Sequence, residues 1–450
     1  MTGTQQRNVQ EILAAVREVE AEAAGGAEAL FMAALLAPSP LPYDFALGME
    51  GTLHNPSLIN PAAAFFAATA VMEPLILHGL AETDVENQTF TLPDDVRRVI
   101  LDSLSEPERR TWAGRAVYAL NLVLPDVDEG QWEVYEWLMP HIQACLELVE
   151  MRGLRTEAAN RVLHQTGFAL HYQGRHREGA AFLDAALAVD VDLKGAEHPD
   201  ICNDLEGLAT VLWAAQDPQR AERAFASCLE LQKRIFTENN PITAPILNSL
   251  GVIRQALGRL NDAEAAFREC LRVLTQAHGE GHPAIASCLS NYALLCEAAD
   301  RPDEALRLAE RALEINRSFR GDDDPEVAAD LNTVALLLAR TGKLQAAEAH
   351  FRESLAVREK HFGPDHAEVG QSLCNLALLL HQTGHPEQAA PLYERGLLIY
   401  DKAIGATHPL MQSALDNYLL LLKATGTRPQ SDRLLALADA RPHSNSQTTH

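Results

Sequence analysis

Four histidines, His198, His282, His366 and His408, fall on one 42-residue grid. Imidazoles in series suggest a metal centre, since neutral His is a common zinc ligand. The interval argues against one. Equivalent residues of successive packed helix pairs lie about 10 Å apart, whereas zinc needs its ligands at about 2 Å. Two closer pairs, His278/His282 and His381/His385, have i, i+4 spacing, but each straddles a helix end or turn, so surface placement is expected. The seven cysteines (145, 202, 228, 270, 288, 296 and 374) form no CxxC pair and sit within apolar helical pattern. They read as reduced thiols used as small core residues, which fits a reducing, cytoplasmic setting. HExxH, GxSxG, GxGxxG and GxxxxGK[ST] are all missing, and Gly342-Lys343 lacks the upstream glycine and the Ser/Thr of a phosphate loop. No catalytic residue, metal ligand or cofactor is expected.

The same histidines make sense as helix punctuation. His198-Pro199, Asn240-Pro241, His282-Pro283, Asp324-Pro325 and His408-Pro409 are spaced by 42 residues or its double, and His366-Ala367 keeps the register without proline. The first residue of each anchor is an expected N-cap, with Pro at the first helical position, where its missing N–H costs nothing. Three residues earlier stand Gly195, Gly279, Gly321, Gly363 and Gly405, with Thr237 the exception. Glycine there can take the left-handed conformation that closes the preceding helix. Eighteen residues after the anchor come Gly258, Gly342, Gly384 and Gly426, with Gln216 and Asp300 in the other two slots, marking a turn inside each unit. Twenty-three after it, Ala221, Ala263, Ala305, Ala347 and Ala389 let two helices approach closely. Helical apolar spacing predicts one helix over Ala244–Leu257 and another over Asn261–His278, the second about 27 Å long. One step back from His198 is Thr156, with Gly174 in the turn slot and Ala186 in a later small-residue slot, which adds a divergent first unit.

Residues 324–365, DPEVAADLNTVALLLARTGKLQAAEAHFRESLAVREKHFGPD, carry the whole pattern. It resembles the 42-residue tetratricopeptide repeats of kinesin light chains and nephrocystin-like proteins. The resemblance implies an all-α, right-handed superhelical solenoid of helix–turn–helix units over 156–440, six full units and a C-terminal cap, followed by a disordered tail at 441–450. It also implies a concave face lined by the first helix of each unit, with groove positions eight, nine and twelve residues after the anchor. These are Asn248, Ser249 and Val252; Ser290, Asn291 and Leu294; Asn332, Thr333 and Leu336; Cys374, Asn375 and Leu378; and Asp416, Asn417 and Leu420. The unit at His198 departs, with Glu206 and Gly207 there. Asparagine is a poor helix former, so its recurrence needs a reason. Its amide could pair with the backbone of an extended peptide, or it could lock neighbouring repeats together; the sequence leaves both open. Trp213 and His381, one turn on, are further groove-side candidates, although packing explains each alone.

Residues 1–155 lack the repeat spacing. They hold 9 basic and 23 acidic residues and no lysine. Short helices are expected at Ala27–Ala37, Tyr43–Met49 and Pro61–His78. Two strands follow at Leu80–Thr83 and Thr89–Leu92, then helices at Pro93–Leu104, Pro107–Leu124 and Glu129–Met151. AEALFMAALLAPSPLP, MEPLILHGLAE and LSEPERRTWAGRAVYALNLVLPD resemble the winged-helix and linker region of STAND-type signalling ATPases, without their nucleotide domain. The resemblance implies a small winged-helix-like acidic domain at 1–104 and linker helices at 105–155.

The net charge of −25 disfavours nucleic acid, which selects Lys and Arg, and an anionic membrane surface. A partner steered by electrostatics would be basic. The start of the chain has no signal-peptide pattern, and no apolar run of about 18 residues spans a membrane. The expected function is non-catalytic: a scaffold holding a partner peptide or helix in the concave groove. The alternative is a sensor or regulatory arm acting in trans with a separate NTPase or effector, or a receptor for a peptide signal. The partner, the pathway and the oligomeric state are not encoded in any motif.

Overall fold

The computed structural model describes residues 8–23, 25–47, 61–127, 131–236 and 240–439. Thr237 and the 441–450 tail lie outside them, as do the ends of the expected helices at Gly48–Met49 and Glu129–Gly130. The chain divides into two compact units, 1–237 and 238–450.

The first unit opens with α1 (Val9–Glu22), α2 (Gly26–Ala34), β1 (Leu41–Pro42) and a 3-10 turn over Tyr43–Leu47. Then follow α3 (Pro61–Leu77), β2 (Glu82–Asp84), β3 (Thr89–Thr91), α4 (Asp94–Ser103), α5 (Glu106–Val123) and α6 (Trp132–Arg152). Two helical hairpins close the unit: α7 (Glu157–Tyr172) with α8 (His176–Lys194), and α9 (Pro199–Ala214) with α10 (Pro218–Ile235). Two elements go beyond the sequence expectation. Helix α1 buries Ile12, Val16 and Val19, and its capping box joins Asn8 to Glu11. Strand β1 pairs antiparallel with β3, Leu41 opposite Phe90, giving the sheet order β1-β3-β2. Leu30, Met32, Phe45 and Phe90 fill the core beneath it.

Arginines close helices of this unit that lack a terminal glycine. Arg97 donates to Ala34 O and Leu36 O past α2. Arg109 does so to Leu101 O and Leu104 O past α4. Arg161 does so to Asn121 O and Leu124 O past α5. Carbonyls at a helix C-terminus have no intrahelical partner, so these guanidiniums are committed to the scaffold.

The second unit is a run of helical hairpins: α11 (Ala244–Ala256) with α12 (Leu260–His278), α13 (Pro283–Ala298) with α14 (Pro302–Arg320), α15 (Pro325–Arg340) with α16 (Leu344–Phe362), and α17 (Ala367–Gln382) with α18 (Pro386–Ala403). Then come α19 (Pro409–Thr425) and α20 (Asp432–Asp439).

The punctuation works chemically as its residue types suggest. His198, His282, His366 and His408 each accept through Nδ1 from the amide two residues on, at 3.2, 3.2, 3.3 and 3.2 Å. Asn240 and Asp324 do the same through Oδ1, at 3.1 and 2.8 Å. The accepting imidazole nitrogen carries no proton, so the ring hydrogen sits on Nε2. Gln216 and Asp300, in turn slots without glycine, still adopt φ of 63° and 55°. The glycine before the anchor differs from expectation. Gly321 has φ 88° and ψ 165°, outside the left-handed helical region and in one that essentially only glycine reaches. The small-residue slot is fully buried: Ala221, Ala263, Ala305, Ala347 and Ala389 have no exposed surface.

Several cysteines do more than fill space. Cys270 Sγ donates to Ala244 O at 3.3 Å across its hairpin, and Ser354 Oγ repeats this to Ala328 O at 2.7 Å, 84 residues on. Polar contacts between hairpins differ from junction to junction. Asn316 Nδ2 donates to Asp330 at 2.6 Å. The buried Arg358 guanidinium reaches Ser372 Oγ at 2.9 Å, Gln371 Oε1 at 3.1 Å and the Glu368 carboxylate at 3.0 Å.

Candidate functional site

Helices α11, α13, α15, α17 and α19 are the first helices of successive repeats in the second unit, and the expected groove residues other than Trp213 lie on them. The structure joins the asparagines in pairs. Asn291 Nδ2 donates to Asn248 Oδ1 at 3.1 Å, and Asn375 Nδ2 donates to Asn332 Oδ1 at 2.9 Å. Each pair links position nine of one repeat to position eight of the repeat before it. Asn332 is only 7% exposed, while Asn248, Asn291 and Asn375 are half-buried. The interlocking reading therefore accounts for four of the asparagines, of which Asn248, Asn291 and Asn375 remain partly at the surface. Asn417 is half-buried; the matching position before it is Cys374, so the pair does not recur. Cys374 is buried, and burial pushes its thiol up to about 12, which keeps it protonated and unreactive.

One turn beyond the pairs the surface is apolar. Leu294, Leu336 and Leu420 are 47%, 42% and 61% exposed, and Val252 and Leu378 are half-buried in the same register. Beside them Arg340 on α15 reaches Glu297 on α13 at 2.9 Å, and His381 is half-buried. Ser249, Ser290 and Thr333 are partly covered, and Thr333 Oγ1 turns back to Ala329 O at 3.1 Å. Ile242 and Leu410, two residues after their anchors, are 47% and 48% exposed. Sequence reasoning passed over both. The signal was available: the same slot holds Asp200, Glu326 or Glu368 in other repeats. Trp213 belongs to the first unit and is part-exposed on α9.

The opposite side of these helices is rigidly tied to the second helices. Tyr292 on α13 donates to Glu264 Oε1 on α12 at 2.9 Å, and Arg301 donates to Glu264 Oε2 at 2.8 Å. The hydrogen bond from Arg301, before any other influence, holds the Glu264 carboxyl below its ordinary value. Gly251 on α11 lies against the Phe267 ring so closely that a Cβ would stand 2.5 Å from it. The surface is thus formed on a fixed support. Among the described residues no group of three His, Cys, Asp or Glu is placed to hold a metal ion, and no helix is long and apolar enough to cross a membrane.

Comparison with known proteins places this architecture. No curated protein sequence matches the chain. Repeats of a protein described as a kinesin light chain of Podosopora anserina share 20% identity, covering 46% of this chain and 98% of that one, with a TM-score of 0.42. BtubC (BKLC) from P. vanneervenii shares 22%, covering 52% and 96%, with a TM-score of 0.42. The STAND protein with a tetratricopeptide repeat sensor, PH0952 from Pyrococcus horikoshii, shares 13%, covering 97% and 65%, with a TM-score of 0.49. The tetratricopeptide repeat family profile matches residues 158–234, 242–318 and 326–402, just over half of the sequence. With its capped helical hairpins in 42-residue register, the chain belongs to the tetratricopeptide repeat family.

Proposed function

We propose that this chain is a non-catalytic interaction scaffold that holds a partner peptide or helix against the first helices of residues 240–439. The observation that carries the reading is the row Val252, Leu294, Leu336, Leu378 and Leu420, at equivalent positions of five repeats, with three of the five more than 40% exposed. Apolar side chains repeated at a surface mark contact sites. The partly exposed amides of Asn248, Asn291 and Asn375 beside them can meet backbone groups of the occupant. Asn248, Asn291, Asn332, Asn375, Asn417 and His381 would form the polar border of that site. In this proposal residues 156–440 are the repeat array, and 1–104 and 105–155 are a capping domain and its linker. The committed arginines of the first unit favour a protein over a nucleic-acid partner. The net charge of −25 favours a basic one.

The test compares partner capture by the full chain and by the variant Leu294→Asp, Leu336→Asp, Leu420→Asp. A second variant, Phe319→Asp on α14, alters an exposed apolar residue away from the row. Loss of capture in the first and retention in the second supports the groove. Equal behaviour of the two would remove it. Alanine at the asparagines is a poorer test, because it also breaks the inter-repeat pairs.

A second reading is a regulatory arm that acts in trans with a separate NTPase or effector, or receives a peptide signal. It is favoured by the small three-stranded sheet with α2, α3 and α4 around it, which resembles a winged helix preceding repeats. Ligand-dependent change in assembly with a P-loop partner would favour it over a passive scaffold.

A further inference from the structure

Helices α8 and α9 meet through two aspartates. Asp190, on α8, is 3% exposed. Its Oδ2 binds Lys194 Nζ at 2.9 Å, while its Oδ1 is fully buried without a hydrogen-bond partner. Asp204, on α9, likewise has a fully buried, unpartnered Oδ2. The two aspartates occupy the places that Asn316 and Asp330, which hydrogen-bond at 2.6 Å, hold 126 residues further on. Two ionised carboxylates are acceptors only, so neither orphaned oxygen can satisfy the other. A single proton between them satisfies both.

The surrounding charges do not offer another solution. From α7, His164 Nε2 stands 3.9 Å from Asp204 Oδ1, beyond hydrogen-bond range, and burial lowers its affinity for a proton. From α8, Lys194 is divided between Asp190 and Asp200, the latter at 2.8 Å. From α9, Asp200 adds a further negative charge, and the cap residue His198 lies 3.6 Å from it. No ion pair among the described residues brings a cation from α6 or α10 to either aspartate. At two of the equivalent junctions of the second unit an acid or hydroxyl meets an amide or a guanidinium, in Asn316–Asp330 and Arg358–Ser372.

We infer that Asp190 and Asp204 share one proton, Asp204 Oδ2–H donating to Asp190 Oδ1, and that this makes the α8–α9 junction a pH-responsive contact between the first two repeats. With that proton, Asp190, Lys194 and neutral Asp204 sum to zero charge. Without it, a second buried negative charge sits beside Asp190 and Asp200. Burial, followed by the charge of Asp190, raises the Asp204 carboxyl from 3.8 to about 7. Folding therefore takes up a proton. The stability of the junction falls as pH climbs between those two values and levels off above the upper one.

The test uses the full chain. Infrared difference spectra between wild type and Asp204→Asn should contain one protonated carboxylic-acid band at about pH 6, which disappears as pH passes about 7. In Asp190→Asn the band should disappear at a lower pH than in the wild type, because the charge of Asp190 is gone and burial alone still favours the proton on Asp204. Hydrogen exchange provides the second readout. After correction for intrinsic rates, α8 and α9 of the wild type should lose about tenfold protection per pH unit across the window, while Asp204→Asn stays flat. A His164→Gln variant should keep the wild-type slope. No acid band in the wild type, or a slope that vanishes with His164→Gln and survives Asp204→Asn, would overturn the inference.

Discussion

The side-chain amide of Asn375 donates to the amide oxygen of Asn332 at 2.9 Å, tying α17 to α15 across a repeat boundary. Asn332 is nearly buried, so losing its partner leaves a desolvated polar group. Asn375→Ala should cost about 1–3 kcal/mol. The double change Asn332→Ala, Asn375→Ala should cost less than the sum of the single changes. Hydrogen exchange of α15 and α17 would read this locally. Strict additivity would mean that the pair contributes nothing.

Leu336 and Leu337 are neighbours on α15 with opposite surroundings, 42% and 2% exposed. Leu337→Ala should destabilise by about 2–5 kcal/mol through a core cavity. Leu336→Ala should stay within about 0.5 kcal/mol and act on binding alone. Denaturation midpoints of the two variants separate these effects, and similar midpoints would show that the row is structural.

His282 caps α13 through Nδ1. His282→Ala should cost about 1 kcal/mol, and His282→Asn should recover it, since Asn240 already serves at the equivalent place. Exchange protection in the first turn of α13 is the measurement. Failure of Asn to rescue would point instead to the stacking of His278 on His282, centroids 4.3 Å apart.

Gly251→Ala would drive a methyl into the Phe267 ring and should cost about 1–3 kcal/mol. Ala substituted at Gly258 meets open space but inherits φ 76°, so its cost is backbone strain of about 1 kcal/mol. A smaller loss of thermal midpoint at Gly258 than at Gly251 is the expected order.

Glu264 is held below its usual 4.5, first by the hydrogen bond from Arg301. Its contribution is complete above the unfolded value and is lost as pH falls through the folded one. Arg301→Met should therefore lower the urea midpoint at neutral pH and converge on wild type in acid. A gap independent of pH would place the effect in packing.

How much of this was legible in the sequence depended on how local the determinant was. Helices α11 and α12 were expected at Ala244–Leu257 and Asn261–His278 and run over Ala244–Ala256 and Leu260–His278, because caps, prolines and turn glycines act within a few residues. Helix α1 escaped because its apolar stripe, Ile12, Val16 and Val19, is thin and set among charges. Strand β1 escaped because its two residues gain strand geometry only from pairing with Phe90 and Thr89. The asparagines lay between these cases. Their pairing follows a 43-residue interval, Asn248 to Asn291 and Asn332 to Asn375, one residue off the repeat length. That offset was readable, but its meaning required knowing which helix faces touch. The Asp190–Asp204 contact likewise needs the facing of α8 and α9, which no periodicity supplies.

The differing contacts at successive junctions carry a consequence for the order of the hairpins. If segments 282–323 and 324–365 exchanged places, Arg358 would confront Cys288 in place of Ser372 and Glu368, and Asp330 would confront Leu274 in place of Asn316. A buried charge stripped of its counterpart costs about 3–5 kcal/mol. Sequentially similar units are therefore not interchangeable parts: each is addressed to its neighbour, and a shuffled chain would have to rewrite its seams before it could close.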